Sequence, residues 1–259
     1  MPQLLANGET LYCIEQGQGP AVLLVHSLGA NSYMWRPVMA ELGKRYRCIA
    51  IDCRGHGMTS YKGTFTVADV AADLNAALDQ LGVKRVHLIG ISMGGPILLE
   101  MYAARPGRVA SLVLADGFYD NRATSADRLA QTETQLHGKT MLEFGREYAK
   151  SRLQPATPEA DYEALAQAVS MVRPKTYMDT LRAISTVGFQ GLLAAISVPT
   201  LIVYGDKESP PLIEQGKRMA ETIPGSRLEV IAGAGHLSSI DQPTRFTELV
   251  GGFLDSVKT

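Results

Sequence analysis

The chain has little of what would commit it to a membrane, a polyanion or a disulfide scaffold. No apolar run reaches the roughly 20 residues that a spanning helix needs, so a membrane partner is not expected. Twenty-five basic residues meet 26 acidic ones for a net charge of −1, which removes the electrostatic case for nucleic acid. There are 3 cysteines, Cys13, Cys48 and Cys53. An odd number without metal-type spacing argues for reduced thiols, a cytoplasmic setting and no metal site. The opening MPQLLANGETLYC has neither the basic start nor the apolar stretch of a secretory leader. Internal repeats, heptads and low-complexity segments are absent as well.

What remains is an ordinary core-forming composition, 46% hydrophobic and 20% charged over 259 residues. It suits one large domain, or one domain with an insertion. A small-molecule substrate is the partner such a chain most readily serves; a homodimer is compatible with it but not required.

The pattern along the chain alternates. Apolar stretches flank Asn7-Gly8, a favoured two-residue hairpin turn. Continuous apolar runs at Ala21–Val25, Arg47–Ile51, Val86–Ile91 and Val109–Ala115 read as strands buried on both faces. Helical spacing fills the gaps at Ser32–Leu42, Val67–Leu81 and Met93–Arg105. From residue 117 to about 190 the rhythm changes to helices alone: Ser125–Gln135, Thr140–Arg152, Pro158–Val172 and Pro174–Ser185. Alternation resumes with a strand at Pro199–Tyr204, a helix over Leu212–Thr222, a strand at Arg227–Ile231 and a last helix over Pro243–Val257. The expectation is an α/β fold built on a mostly parallel sheet. Residues 1–116 and 191–259 would form its core and 117–190 a helical cap over the carboxyl edge of the sheet, where such folds bind ligands.

Gly90-Ile91-Ser92-Met93-Gly94 lies between a strand and a helix, the setting of a nucleophile elbow. Small neighbours let strand and helix approach while a strained turn presents the serine hydroxyl. A serine needs a base, and His236, in a small-residue loop after the last strand, is the candidate. Among the other histidines, His87 begins a core strand, His137 lies in the insertion, His56 sits in a turn and His26 belongs to the loop after Ala21–Val25. An oxyanion needs donors, for which the backbone N–H groups of Met93 and Leu28 are placed; Gly29 lets the second loop turn back.

Four separated motifs, VHSLGA, DCRGHGMTS, GISMGG and GAGHLSSIDQP, make the chain resemble an α/β-hydrolase over nearly its whole length. Within that superfamily it is similar to the 3-oxoadipate enol-lactonase-like branch. The resemblance implies an eight-stranded sheet with helices on both faces, a cap after the sixth strand, a serine–histidine–carboxylate triad and no cofactor. It also implies the position of the acid, which in the family follows the strand after the insertion; that position here is Glu208 instead of the usual aspartate. Asp206 lies two residues earlier, and Asp116, at the end of the sixth strand, occupies the place some α/β-hydrolases use. Glu208 is the favoured acid and Asp116 the alternative. Asp116 has a structural reading too, as a cap of the first helix of the insertion or a partner of Arg122, and Asp52 with Arg54 reads as a structural pair.

The activity this implies is a serine hydrolase of small carboxylic esters or lactones. The alternatives are an amide or C–C bond hydrolase of ring breakdown, a non-hydrolytic lyase or perhydrolase, and a binding protein that keeps the pocket. The insertion holds Arg122, Arg128, Arg146, Arg152, Arg173, Lys175 and Arg182. An inward arginine favours a carboxylate-bearing substrate. Phe118, Tyr119, Met141, Phe144, Tyr148, Met171, Tyr177 and Met178, with Trp35, favour an apolar pocket.

Overall fold

The hairpin forms where the turn chemistry places it. Strands β1 (Gln3–Ala6) and β2 (Glu9–Gln16) pair antiparallel, and Asn7 and Gly8 both take positive φ, 49° and 83°, as a turn matching strand twist requires. The structure, a computed structural model, describes residues 3–61 and 63–257. The apolar runs become β3 (Ala21–Val25), β4 (Arg47–Ile51), β5 (Val86–Ile91), β6 (Val109–Ala115), β7 (Thr200–Gly205) and β8 (Arg227–Ile231). They join the hairpin in one 8-stranded sheet of order β1-β2-β4-β3-β5-β6-β7-β8. Only the β1–β2 and β2–β4 pairings are antiparallel; the remaining pairings are parallel. Every residue of β5, β6 and β7 is buried, which is why these strands carry no polar alternation. The edge strand β8 is exposed or half-buried along most of its length.

Helices α1 (Arg36–Leu42), α2 (Val67–Gln80) and α3 (Gly94–Ala104) cross between the parallel strands. The segment expected as one helix over Ser32–Leu42 divides into a 3-10 turn, Ser32–Trp35, capped by Asn31, and α1; the proline at Pro37 starts the second piece. Helix α2 opens with a reciprocal capping box between Thr66 and Asp69, satisfying two donors at its start.

Between β6 and β7 come α4 (Ser125–Leu136), α5 (Met141–Arg152), α6 (Glu159–Ser170), α7 (Pro174–Ser185) and α8 (Gln190–Leu193). The described chain adds a 3-10 turn at Arg122–Thr124 and an isolated bridge from Asp120 to Gly188. This helical segment is pinned to the body at its rim. Asp241 accepts the Gln154 N–H at 2.9 Å and the Thr157 hydroxyl, while its other oxygen accepts the Gly235 N–H. The Tyr61 hydroxyl donates to Asp179 of α7. The chain then closes with α9 (Pro210–Thr222), α10 (Ser238–Asp241) and α11 (Pro243–Ser256). No helix of the described residues is long and apolar enough to cross a membrane.

Candidate active site

Parallel strands end together, so the loops after β3, β5, β6, β7 and β8 all open on one edge. Each delivers one part of the site. After β5 the chain turns so sharply into α3 that Ser92 sits at φ 53°, a region that costs a side-chain-bearing residue. The flanking glycines permit it. A Cβ on Gly94 would lie 2.6 Å from the Val25 carbonyl oxygen, and one on Gly90 would lie 2.8 Å from the Gly94 backbone. The Ser92 N–H is held by the Ala115 carbonyl at 2.9 Å, so the strain is locked in by the neighbouring strand.

The Ser92 Oγ lies 2.8 Å from His236 Nε2. On the far side of the ring, His236 Nδ1 is hydrogen-bonded to a Glu208 carboxylate oxygen. The second oxygen of Glu208 accepts the Ser209 N–H, which fixes the carboxylate from behind. The side chains are 10% exposed for His236 and 4% for Glu208. Burial holds the imidazole below its ordinary value of 6.5; Arg152 and Arg128 push the same way, and the Glu208 hydrogen bond and charge oppose them. For Glu208 burial pulls upward, but the hydrogen bond and charge of His236 together with the bonds from Ser209 outweigh it, and the carboxyl stays below its usual range.

Of the three candidate carboxylates, then, Glu208 is the one against His236. Asp116 neither caps the first helix of the insertion nor meets Arg122, contrary to the structural reading of its sequence position; Arg122 pairs with Asp120 instead. Fully buried at φ 44°, Asp116 accepts the Gly205 N–H at 3.0 Å and the Ser238 N–H at 2.9 Å. Burial pushes its carboxyl well up, with the nearby Glu208 adding to the rise and the bonds from Ser238 and Gly205 opposing it. Asp206 accepts the Gly233 N–H at 2.7 Å and lies 3.2 Å from Lys207, a turn residue joining the ends of β7 and β8.

The oxyanion side is assembled from two loops. Their hydrogen bonds use the Ala30 and Gly95 N–H groups and leave those of Leu28 and Met93 without an acceptor among the described residues. The Leu28 carbonyl accepts the Tyr148 hydroxyl of α5 at 2.9 Å. Gly29 turns back at φ 79°, where a Cβ would lie 3.0 Å from Val169. His26 braces the loop from below: one ring nitrogen bonds the Ser27 carbonyl at 2.8 Å and the other accepts the Cys53 N–H at 2.9 Å. His56 stacks 5.0 Å from it and His87 bonds Ser111 at 2.8 Å; neither reaches Ser92, and His137 is exposed on the insertion.

Two further expectations are corrected. Asp52 and Arg54 are not paired: Asp52 accepts the Ser32 and Met58 N–H groups, and Arg54 binds Asp73, with Glu9 at 3.9 Å. Trp35 is wholly buried against Phe246, with ring centroids 6.1 Å apart, because the 3-10 turn points it into the core.

Above Ser92 and His236 lies a cavity of about 530 Å³, a volume suited to a small organic ligand. Phe118, Phe144, Tyr148 and Tyr177 line it, with Leu28, Leu181 and Ile184. Of the insertion's basic side chains named from sequence, Arg128 and Arg152 face it. Sequence reasoning missed Leu212 and Gln215 of α9, which also line it. Gln215 accepts the Tyr119 and Asp120 N–H groups at 3.1 Å, and nothing in its local sequence marks that role. Asp241 was missed as well, though it stands inside the quoted motif GAGHLSSIDQP. Among the described residues no group of acids, histidines and cysteines has the makings of a metal site.

Residues 20–243 match the alpha/beta hydrolase fold family. Over 264 aligned positions the chain is 30% identical to 3-oxoadipate enol-lactonase 1 of Acinetobacter baylyi, covering 97% of this chain and 96% of that protein. Among solved structures it resembles a thermophilic esterase from Thermogutta terrifontis, determined with malate bound: 27% identity, TM-score 0.89, 100% of this chain and 99% of that one. An esterase from Exiguobacterium antarcticum is similar at 25% identity and TM-score 0.91, covering 98% of this chain and 99% of that one.

Proposed function

This chain belongs to the α/β hydrolase family, and from that premise we propose that it hydrolyses small carboxylic esters and lactones through Ser92, His236 and Glu208. The observation that carries the reading is the unbroken relay from Ser92 Oγ through both ring nitrogens of His236 to Glu208, at the floor of a cavity. The similarity to an enol-lactonase and to esterases supports the class of bond.

In this mechanism neutral His236 takes the Ser92 proton as Oγ bonds to the substrate carbonyl carbon. The carbonyl electrons move to its oxygen, which the Leu28 and Met93 N–H groups stabilise. As the tetrahedral intermediate collapses, the C–O bond to the leaving oxygen breaks and that oxygen takes the proton from His236. A lactone opens at this step and its hydroxyl stays tethered to the acyl group. Water, deprotonated by His236, then attacks the acyl-enzyme; its collapse releases the acid and returns the proton to Ser92. Glu208 orients the ring and stabilises its cationic form in both halves.

The test is a fluorophosphonate label located by mass spectrometry, with turnover of p-nitrophenyl butyrate. The label is expected on Ser92, and Ser92→Ala is expected to lose both label and turnover, with at least a ~10⁴-fold fall in rate and no loss of thermal stability. Near-full turnover by Ser92→Ala would overturn the mechanism.

A further inference from the structure

The backbone around His236 is held from two sides of the molecule. Among the described residues His236 makes no backbone hydrogen bond of its own. One residue before it, the Gly235 N–H donates to an Asp241 carboxylate oxygen at 2.7 Å; two residues after it, the Ser238 N–H donates to Asp116 at 2.9 Å. Asp116 follows β6 and belongs to the sheet. Asp241 faces the insertion: its other oxygen accepts the Gln154 N–H at 2.9 Å and the Thr157 hydroxyl, both in the loop 153–158 between α5 and α6.

That loop is closed on itself and seated against the base. The Gln154 carbonyl accepts the Thr157 N–H at 2.9 Å and the Tyr162 hydroxyl at 2.7 Å. A Cβ on Gly235 would lie 2.4 Å from the Gln154 side-chain nitrogen and 3.4 Å from the Arg152 carbonyl oxygen, so a side chain at 235 would have to displace the loop's glutamine. Arg152, just before the loop, lines the cavity over Ser92, whereas neither Thr157 nor Asp241 does.

Asp241 is 8% exposed and stands in none of the ion pairs of the described residues. The N–H groups of Gln154 and Gly235 and the Thr157 hydroxyl are what replaces its lost hydration, and a buried carboxylate is costly once its donors leave. Two of these donors belong to the insertion and one to the loop that carries the base. Displacing either segment strips the same acid, so the positions of the two are energetically coupled. A base must stay within hydrogen-bond reach of the proton it takes, and a displacement of about 1 Å at the reacting groups is enough to cost rate.

We propose that Asp241 is a positioning residue for His236, and that the seat of the insertion sets the geometry of the base through it. This rests on the hydrolase reading above and adds to it a residue that touches neither substrate nor the reacting atoms.

The experiment measures kcat and KM for p-nitrophenyl butyrate on the full chain, at a temperature where circular dichroism shows each variant folded. Asp241→Asn sets an amide NH₂ against either the Gly235 N–H or the donors of the insertion, so one arm is lost; kcat is expected to fall about tenfold with KM within about twofold. Thr157→Val keeps the branched shape and removes only the hydroxyl arm, on the side away from His236. It is expected to lower kcat about threefold, and the double variant is expected to be no slower than Asp241→Asn alone, because both changes cut one linkage. A merely structural acid would lower the unfolding midpoint and leave kcat of the folded protein unchanged. Native kcat in either folded single variant, or losses that multiply in the double variant, overturns the proposal while the hydrolase reading stands. No turnover by the native chain, with Ser92 refractory to fluorophosphonate, overturns the hydrolase reading and the proposal with it.

Discussion

The Ser238 N–H donates to the Asp116 carboxylate at 2.9 Å, two residues beyond His236. The other Asp116 oxygen accepts the Gly205 N–H, three residues before Glu208, and the adjoining Ala115 carbonyl accepts the N–H of Ser92. The end of β6 therefore ties together the three loops that bring Ser92, Glu208 and His236 to one place. Asp116 is a strut between loops, and Glu208 alone meets the imidazole.

These two acids should respond differently to the same conservative change. Glu208→Gln keeps the shape but removes the charge that stabilises the imidazolium, so kcat on p-nitrophenyl esters should fall by about 10³ to 10⁴ with a modest change in stability. Asp116→Asn turns one of two buried acceptors into a donor facing an N–H, and should cost about 1–3 kcal/mol of stability with a much smaller loss of rate. Denaturant unfolding alongside steady-state kinetics separates them. A reversed pattern, with Asp116→Asn crippled in kcat and Glu208→Gln active, would place the acid at the end of β6.

Tyr148 reaches from α5 to the Leu28 carbonyl and so sets the loop that carries one proposed oxyanion donor. Tyr148→Phe should lower kcat by about tenfold, since a donor displaced by a fraction of an ångström loses transition-state stabilisation. The KM for a neutral ester should move less than kcat. Unchanged kcat in a folded Tyr148→Phe protein would show that the loop holds its shape without that bond.

The rate should depend on pH through His236. Only the neutral ring can accept the Ser92 proton, and burial followed by the two arginines holds its pKa below 6.5. The acid limb of kcat/KM should therefore lie below pH 6.5. Arg152→Gln removes a cation and should move the limb to higher pH, whereas Glu208→Gln removes an anion and should move it lower. Shifts of opposite sign would contradict the assignment of His236 as the base.

Stability should fail on the acid side for a different set of residues. Burial lowers His26 to about 4, His56 to about 3 and His87 to about 4, from 6.5. A group depressed in the folded state resists a proton that the unfolded chain accepts. Its contribution is full above pH 6.5 and is lost as pH falls through 4 and 3. At pH 5 unfolding should take up nearly three protons at these histidines, and Asp116, whose carboxyl burial raises, offsets part of that uptake. The net uptake is a slope of about 3 kcal/mol per pH unit, readable from urea midpoints between pH 6 and 4. Uptake of fewer than one proton would show that these rings are not held neutral.

Much of this molecule is legible in its sequence because much of it is local. Continuous apolar runs can be buried on both faces only as inner strands, and β3 through β7 form where those runs lie. The glycines around Ser92 announce a turn that no Cβ would permit, and the order of motifs puts serine and histidine after strands that end at one edge. Prolines decided two boundaries that the pattern misplaced: α9 starts two residues early, at Pro210, and the segment expected as one helix from Ser32 divides before Arg36-Pro37.

What the sequence left open was decided by distances between residues far apart in the chain. Asp116, Asp206 and Glu208 are all carboxylates within three residues of a strand end; the β6–β7–β8 register sends the first two to backbone N–H groups and the third to His236. Arginines recur through the insertion with nothing in their neighbours to rank them. Helix phase and the docking of α4 and α5 over the sheet turn Arg128 and Arg152 inward, while Arg122, Arg146 and Arg182 meet acids. Local propensity and burial pattern select the elements, but the direction a charged side chain faces is set by packing, and packing exists only once the chain has folded.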